Sequence, residues 1–143
     1  MDITGTYTFN APPERVWNLL MDPAALAGCI PGCEQLAPAG EDRYTARLNV
    51  SLAAITGTYE GTVTISDKKP FESYALTVEG QGKAGVVTGS VTIALRPAGD
   101  GTEVSVAGGV KTGGAIARLG HRLIGGVSKM MQDRFFACLA SKV

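Results

Sequence analysis

The stretch Ile55-Thr56-Gly57-Thr58-Tyr59-Glu60-Gly61-Thr62-Val63-Thr64-Ile65-Ser66 alternates two kinds of residue with a period of two. Odd positions are apolar, aromatic or glycine, and even positions are threonine, glutamate or serine. Successive side chains of a strand point to opposite faces, so the stretch reads as a half-buried antiparallel strand. Glycine on the apolar side is unusual, because it weakens a strand and fills no volume. A sheet with so sparse an inner face either bends sharply or lines an internal space. That alternative separates a compact domain from a carrier of small molecules.

The same period recurs on both sides of this stretch. Ile3, Gly5, Tyr7 and Phe9 alternate with threonines in a first strand, and further strands are read at about 33–38, 43–52, 71–80, 84–96 and 102–111. The turns between them are short and carry glycine or proline, as in Gly40-Glu41-Asp42, Lys68-Lys69-Pro70 and Gly99-Asp100-Gly101, so neighbouring strands are expected to pair antiparallel. Between the first two strands, Asn10-Ala11-Pro12-Pro13-Glu14 reads as a helix start, with Asn10 as the cap and prolines in the first turn. Val16, Trp17, Leu19 and Leu20 give that helix an apolar face, and Pro23 restarts a second short helix over 24–29 that Pro31-Gly32 ends.

The last thirty residues change period. Ile116, Leu119, Leu123, Val127, Met130 and Met131 recur three or four apart, which predicts an amphipathic helix from Ala115 to Ser141, ~40 Å long at 1.5 Å per residue. Gly120, Gly125 and Gly126 cost ~1 kcal/mol each against alanine there. They mark either close packing or a bend, or a gap where something else sits. One helix must cover the apolar face of the whole sheet. The expected fold is α+β: about seven strands in a curved antiparallel sheet wrapped round a long C-terminal helix, with two short helices after strand 1. Residues 1–143 are read as one domain of the common size, with space left between helix and sheet.

Composition narrows the function classes. Thirteen basic residues balance thirteen acidic ones, which argues against an electrostatic grip on nucleic acid. Three cysteines do not make a disulfide framework; Cys29 and Cys33 flank Ile30-Pro31-Gly32, and free, buried or half-buried thiols are the expectation. One further cysteine and the single His121 give no metal-site spacing. No apolar stretch follows a basic head, and no apolar run reaches the ~18 residues of a spanning helix. The expected location is cytoplasmic.

The inferred inner surface is apolar. Tyr7, Phe9, Trp17, Ile30, Tyr44, Leu48, Tyr59, Val63, Leu76, Val78 and Val91, with Leu119, Leu123 and Val127 from the helix, are the candidate ligand-binding residues. Acid–base catalysis needs an ionisable group held in a cleft, and Glu60, Glu79 and Glu103 fall on the outward register. His121 lies off the apolar stripe and is read as a surface residue. No Gly-x-Ser-x-Gly occurs, and Gly80, Gly82, Gly85 and Gly89 lack the ending of a phosphate loop. The reading leans against an enzyme and assigns no catalytic or metal-binding residue. An apolar pocket with a few tyrosine donors suits a hydrophobic small molecule.

Particular motifs add a resemblance. Ala11-Pro12-Pro13-Glu14-Arg15-Val16-Trp17 followed by Asp22-Pro23 is shared widely in the START-like (SRPBCC, helix-grip) superfamily. Cys29-Ile30-Pro31-Gly32-Cys33-Glu34, Gly113-Gly114-Ala115-Ile116-Ala117-Arg118-Leu119-Gly120 and Phe135-Phe136 are more specific, and through them the chain resembles the carbon monoxide dehydrogenase G-subunit family. The resemblance implies a non-catalytic accessory protein of a carbon monoxide dehydrogenase-type molybdenum hydroxylase. It would attach that enzyme to the membrane, by peripheral contact at the inner face of the cytoplasmic membrane, or deliver electrons through a bound quinone or similar lipid. Two other readings stand beside it: an enzyme of the same fold, cyclase- or hydrolase-like, and a ligand-free protein-interaction module.

Overall fold

The chain runs β1 (Asp2–Phe9), α1 (Pro13–Leu20), α2 (Pro23–Cys29), β2 (Cys33–Pro38), β3 (Arg43–Val50), β4 (Gly57–Lys69), β5 (Ser73–Gly82), β6 (Gly85–Ala98), β7 (Gly101–Gly113), a 3-10 turn (Gly114–Leu119) and α3 (His121–Ala140). The computed structural model describes residues 1–51 and 56–143. The seven strands form one antiparallel curved sheet in the order β1-β7-β6-β5-β4-β3-β2. Two edge strands, β1 and β2, are therefore left without a strand partner on one side. The chain between them folds into α1 and α2.

Each element follows from its residues. As far as Ile65, β4 turns its odd positions inward, with Gly57, Tyr59, Gly61 and Val63 half-buried, Ile65 buried, and Thr58 and Glu60 exposed. Ile55, Leu52 and the sequence-predicted strand ends near them lie outside the described residues. α1 starts with Pro12 at the cap and Pro13 at the first helical position; the cap is thus Pro12 and not Asn10, and proline there loses no helical hydrogen bond. Val16, Trp17 and Leu20 face the core. The Asp22 carboxylate accepts a 3.0 Å bond from the Ala24 amide and caps α2. After α2, Gly32 takes φ 75°, and its carbonyl accepts a 2.8 Å bond from the Asn49 amide. The hairpin at Gly40-Glu41-Asp42 is closed by the Ala39 amide on Arg43 O at 2.8 Å.

Two expectations are corrected here. The C-terminal helix does not begin at Ala115. Gly114–Leu119 form a 3-10 turn, anchored by the Ile116 amide on Ala84 O at 2.8 Å, and Gly120 at φ 84° breaks the path before α3. A glycine in the left-handed region cannot continue a right-handed helix, so α3 is shortened to ~30 Å at 1.5 Å per residue. Nor are all three cysteines free. Cys29 at the end of α2 and Cys138 in the last turns of α3 form a disulfide, with Cα atoms 5.4 Å apart across 109 residues. The helices pack against each other there, which brings together two thiols no sequence spacing relates. Cys33 remains a half-buried thiol whose pKa is raised by desolvation.

The core sits at one end of the concave face. Phe9, Val16, Leu20, Val104 and Leu139 are fully buried there, with Trp17, Tyr74 and Phe136 around them. Thr102 is the buried polar residue among those described, and its hydroxyl donates a 2.7 Å bond to Ala11 O. α3 is held to the β1 edge by a small polar cluster. The Tyr7 hydroxyl donates to Asp133 Oδ1 at 2.7 Å, Lys129 also pairs with Asp133, and the Lys129 ammonium lies 5.6 Å from the Tyr7 ring centroid. Lys129 first, then Tyr7, holds the Asp133 carboxyl below its ordinary value.

Candidate functional site

Beyond that core the helix and sheet separate and leave an apolar cavity in two lobes. The larger, about 380 Å3, lies between α2, the sheet and the C-terminal half of α3. The smaller, about 210 Å3, lies under the 3-10 turn and the N-terminal half of α3. Leu48, Tyr59, Val78, Gly80, Ser128 and Met131 line both, so the lobes meet at this waist.

The glycines of the wall play different parts: a Cβ on Gly61 would run into the Glu79 carbonyl of β5, whereas Gly80 leaves room. Gly61 and Gly80 face each other across β4 and β5 and both lie in the larger lobe's wall. A Cβ on Gly80 would meet nothing nearer than Glu60 O at 4.0 Å. A Cβ on Gly126 in α3 would meet nothing within 4 Å, whereas one on Gly125 would touch Met1 at 3.7 Å. Of the two readings of the helix glycines, Gly125 thus fits packing, whereas Gly126 is exposed and lines neither lobe, so it marks no internal gap.

Tyr44, Val63, Leu76, Val91 and Ile30 line the larger lobe, Leu119, Leu123 and Val127 the smaller, and Leu48, Tyr59 and Val78 both. Tyr7, Phe9 and Trp17 are not lining residues. Tyr7 stacks on Phe136 at 4.3 Å between ring centroids, Phe9 is 0% exposed in the core, and Trp17 stands edge-on to Tyr74 at 5.5 Å. Residues outside the sequence-based set also reach the wall, among them Leu26 and Pro31 at α2, Ile65 and Ile93 in the sheet, and Met131 and Phe135 in α3. Tyr74 is the most informative addition. It continues the period of Leu76 and Val78 one step back, so the signal for it was present in the sequence.

The wall is poor in chemistry. Among the described lining residues none is Lys, Arg or His. Glu60 and Glu79 border the larger lobe beside the facing glycines, but both are exposed, and Glu60 pairs with Arg47 at 3.2 Å on the outer face. The side chain of His121, read from sequence as a surface residue, lies outside the described set. Burial pushes the Tyr74 phenol well above its ordinary pKa, so it stays protonated. Burial also raises the Tyr59 phenol. Among the described residues no group of three or more His, Cys, Asp or Glu could hold a metal ion, and no helix is long and apolar enough to cross a membrane.

This fold and cavity define a helix-grip protein. The family model of the carbon monoxide dehydrogenase G subunit (CoxG) matches residues 5–143, and the chain belongs to that family. A conserved protein of Geobacillus kaustophilus is similar in structure, with a TM-score of 0.96 and 34% identity over 99% of this chain and 94% of that one. A protein of Chromobacterium violaceum matches with a TM-score of 0.75 and 20% identity, covering 99% and 96%. One of Thermus thermophilus gives 0.71 and 18%, covering 99% and 95%. These last two are alike in fold alone. No curated protein matches the chain.

Proposed function

We propose that the chain is a non-catalytic accessory protein that holds a hydrophobic small molecule, a lipid or a quinone, between α3 and the sheet. In this reading it serves a carbon monoxide dehydrogenase-type molybdenum hydroxylase, in membrane association at the inner face of the cytoplasmic membrane or in electron delivery. Membership of the CoxG family suggests the accessory role. The observation that carries the ligand reading is the two-lobed apolar cavity, walled by aliphatic and aromatic side chains and free of described cations. Removing apolar ligand surface from water contributes about 25 cal/mol per Å2, so a hydrocarbon chain filling such a space binds usefully. A wall without a described histidine, lysine or inward carboxylate gives little purchase for acid–base catalysis.

The test is extraction of the purified protein for bound lipid, followed by thermal melts with added menaquinone, ubiquinone or palmitate. Binding to the folded state raises the midpoint by mass action. Extracts without lipid, together with an unchanged midpoint for every apolar compound, would refute the reading.

A further inference from the structure

Tyr74 differs from every other polar residue in the cavity wall. Tyr44, Tyr59, Thr62, Thr112, Ser128 and Gln132 are half-buried and have water within reach, and Glu60 and Glu79 are exposed. Tyr74 is 4% exposed, packed edge-on against Trp17. Its hydroxyl has no hydrogen-bond partner among the described residues, yet no described buried polar side-chain atom is sealed off without one. The hydroxyl therefore opens onto space, and the residue lines the larger lobe. A donor that opens onto the lobe can be covered by a ligand, which must then supply an acceptor or leave the hydroxyl buried and unpaired at a cost.

The rest of the wall sets the ligand's charge and shape. With no described lysine, arginine or histidine lining either lobe, and two carboxylates at the border of the larger one, an anionic head finds no counter-charge and loses its hydration. The lobes meet at a waist formed by Leu48, Tyr59, Val78, Ser128 and Met131, where Gly80 adds no side chain of its own. From Leu123 in the smaller lobe to Phe136 in the larger, α3 spans about 20 Å at 1.5 Å per residue.

We propose that the cavity takes one elongated, uncharged amphiphile, its neutral carbonyl oxygen accepting from the Tyr74 hydroxyl and its hydrocarbon chain passing Gly80 into the smaller lobe. This rests on the ligand-binding reading above and goes further: it excludes free fatty acids and pure hydrocarbons as preferred ligands, and it fixes which end enters where.

The experiment compares methyl palmitate, palmitate, hexadecane and methyl octanoate by displacement of a fluorescent apolar probe, at about pH 8, where palmitate is ionised. Methyl palmitate is expected to bind about tenfold tighter than palmitate or hexadecane, the value of one good hydrogen bond. Tyr74→Phe keeps the ring against Trp17 and is expected to weaken methyl palmitate by about five- to tenfold while leaving hexadecane unchanged. Gly80→Leu is expected to weaken methyl palmitate and spare methyl octanoate, whose chain fits the larger lobe alone. Thermal midpoints of both variants establish that they are folded. Palmitate binding as tightly as its methyl ester, an equal effect of Tyr74→Phe on ester and alkane, or equal loss of both esters in Gly80→Leu would overturn the assignment while leaving an apolar-ligand site intact. Failure of the probe and of all four compounds to bind would instead remove the ligand-binding reading on which it rests.

Discussion

Removing the Cys29–Cys138 crosslink is the perturbation whose size is best defined. The bond closes a loop across 109 residues, and in the chain-entropy account a loop of about 100 residues stabilises the folded state by ~4.7 kcal/mol. Native disulfides removed from small domains cost about 2–5 kcal/mol in practice. Taking about 3 kcal/mol, and roughly 3–4 °C per kcal/mol for a chain of this size, the melting midpoint should fall by about 10 °C. Calorimetry of the oxidised protein, the protein in reductant and the Cys29→Ser/Cys138→Ser double variant measures this. The reduced protein and the double variant should melt close together, and Cys33→Ser should melt with the oxidised protein. α2 and α3 both wall the cavity, so ligand retention should weaken along with stability. Three titratable thiols in the non-reduced protein, or a midpoint indifferent to reductant, would refute the reasoning.

Other expectations follow from local contacts. Gly32→Ala should destabilise by about 1–3 kcal/mol, because a Cβ at φ 75° is strained and would run into the Asn49 carbonyl, as a shifted urea midpoint would reveal. Thr102→Val should cost about 1–2 kcal/mol by leaving Ala11 O without its 2.7 Å donor inside the core, and an unchanged denaturation curve would contradict that account. The Asp133 carboxyl is depressed by Lys129 first and Tyr7 second, so its contribution is fully present above the ordinary carboxylate value of about 4 and is lost as pH falls through the lower folded value. Urea melts of the natural protein and Asp133→Asn should differ at neutral pH and converge in acid; a constant difference would show the cluster is not electrostatic.

Much of the architecture was legible in period-two alternation. That pattern, interrupted by short glycine or proline turns, located all seven strands within a few residues, and family motifs pointed to the same fold. Reading 71–80 for Ser73–Gly82 and 102–111 for Gly101–Gly113 reflects the blurred ends of ladders whose outer residues look like turn. The break at Gly120 was not legible, because Ile116 and Leu119 keep helical spacing through a 3-10 turn as well as through an α-helix. The crosslink was invisible for a different reason: it joins residues related only by how α2 and α3 pack. At the cavity, strand periodicity separated inside from outside but not wall from core. Tyr7 and Phe9 share the inward register with Tyr44 and Tyr59, yet α1, with Trp17 on its buried face, and the end of α3 pack over that end of the sheet and leave the other two beside open space.

The unpaired edges of β1 and β2 carry a consequence of their own. In a closed barrel a continuous ladder of backbone hydrogen bonds fixes the girth, and a bulky guest must fit or be refused. Here the circumference is completed by side-chain packing and one sulfur bridge. On that side the wall is a seven-residue helix tied to the terminal one by sulfur, so its position is set outside the rungs of the seven strands.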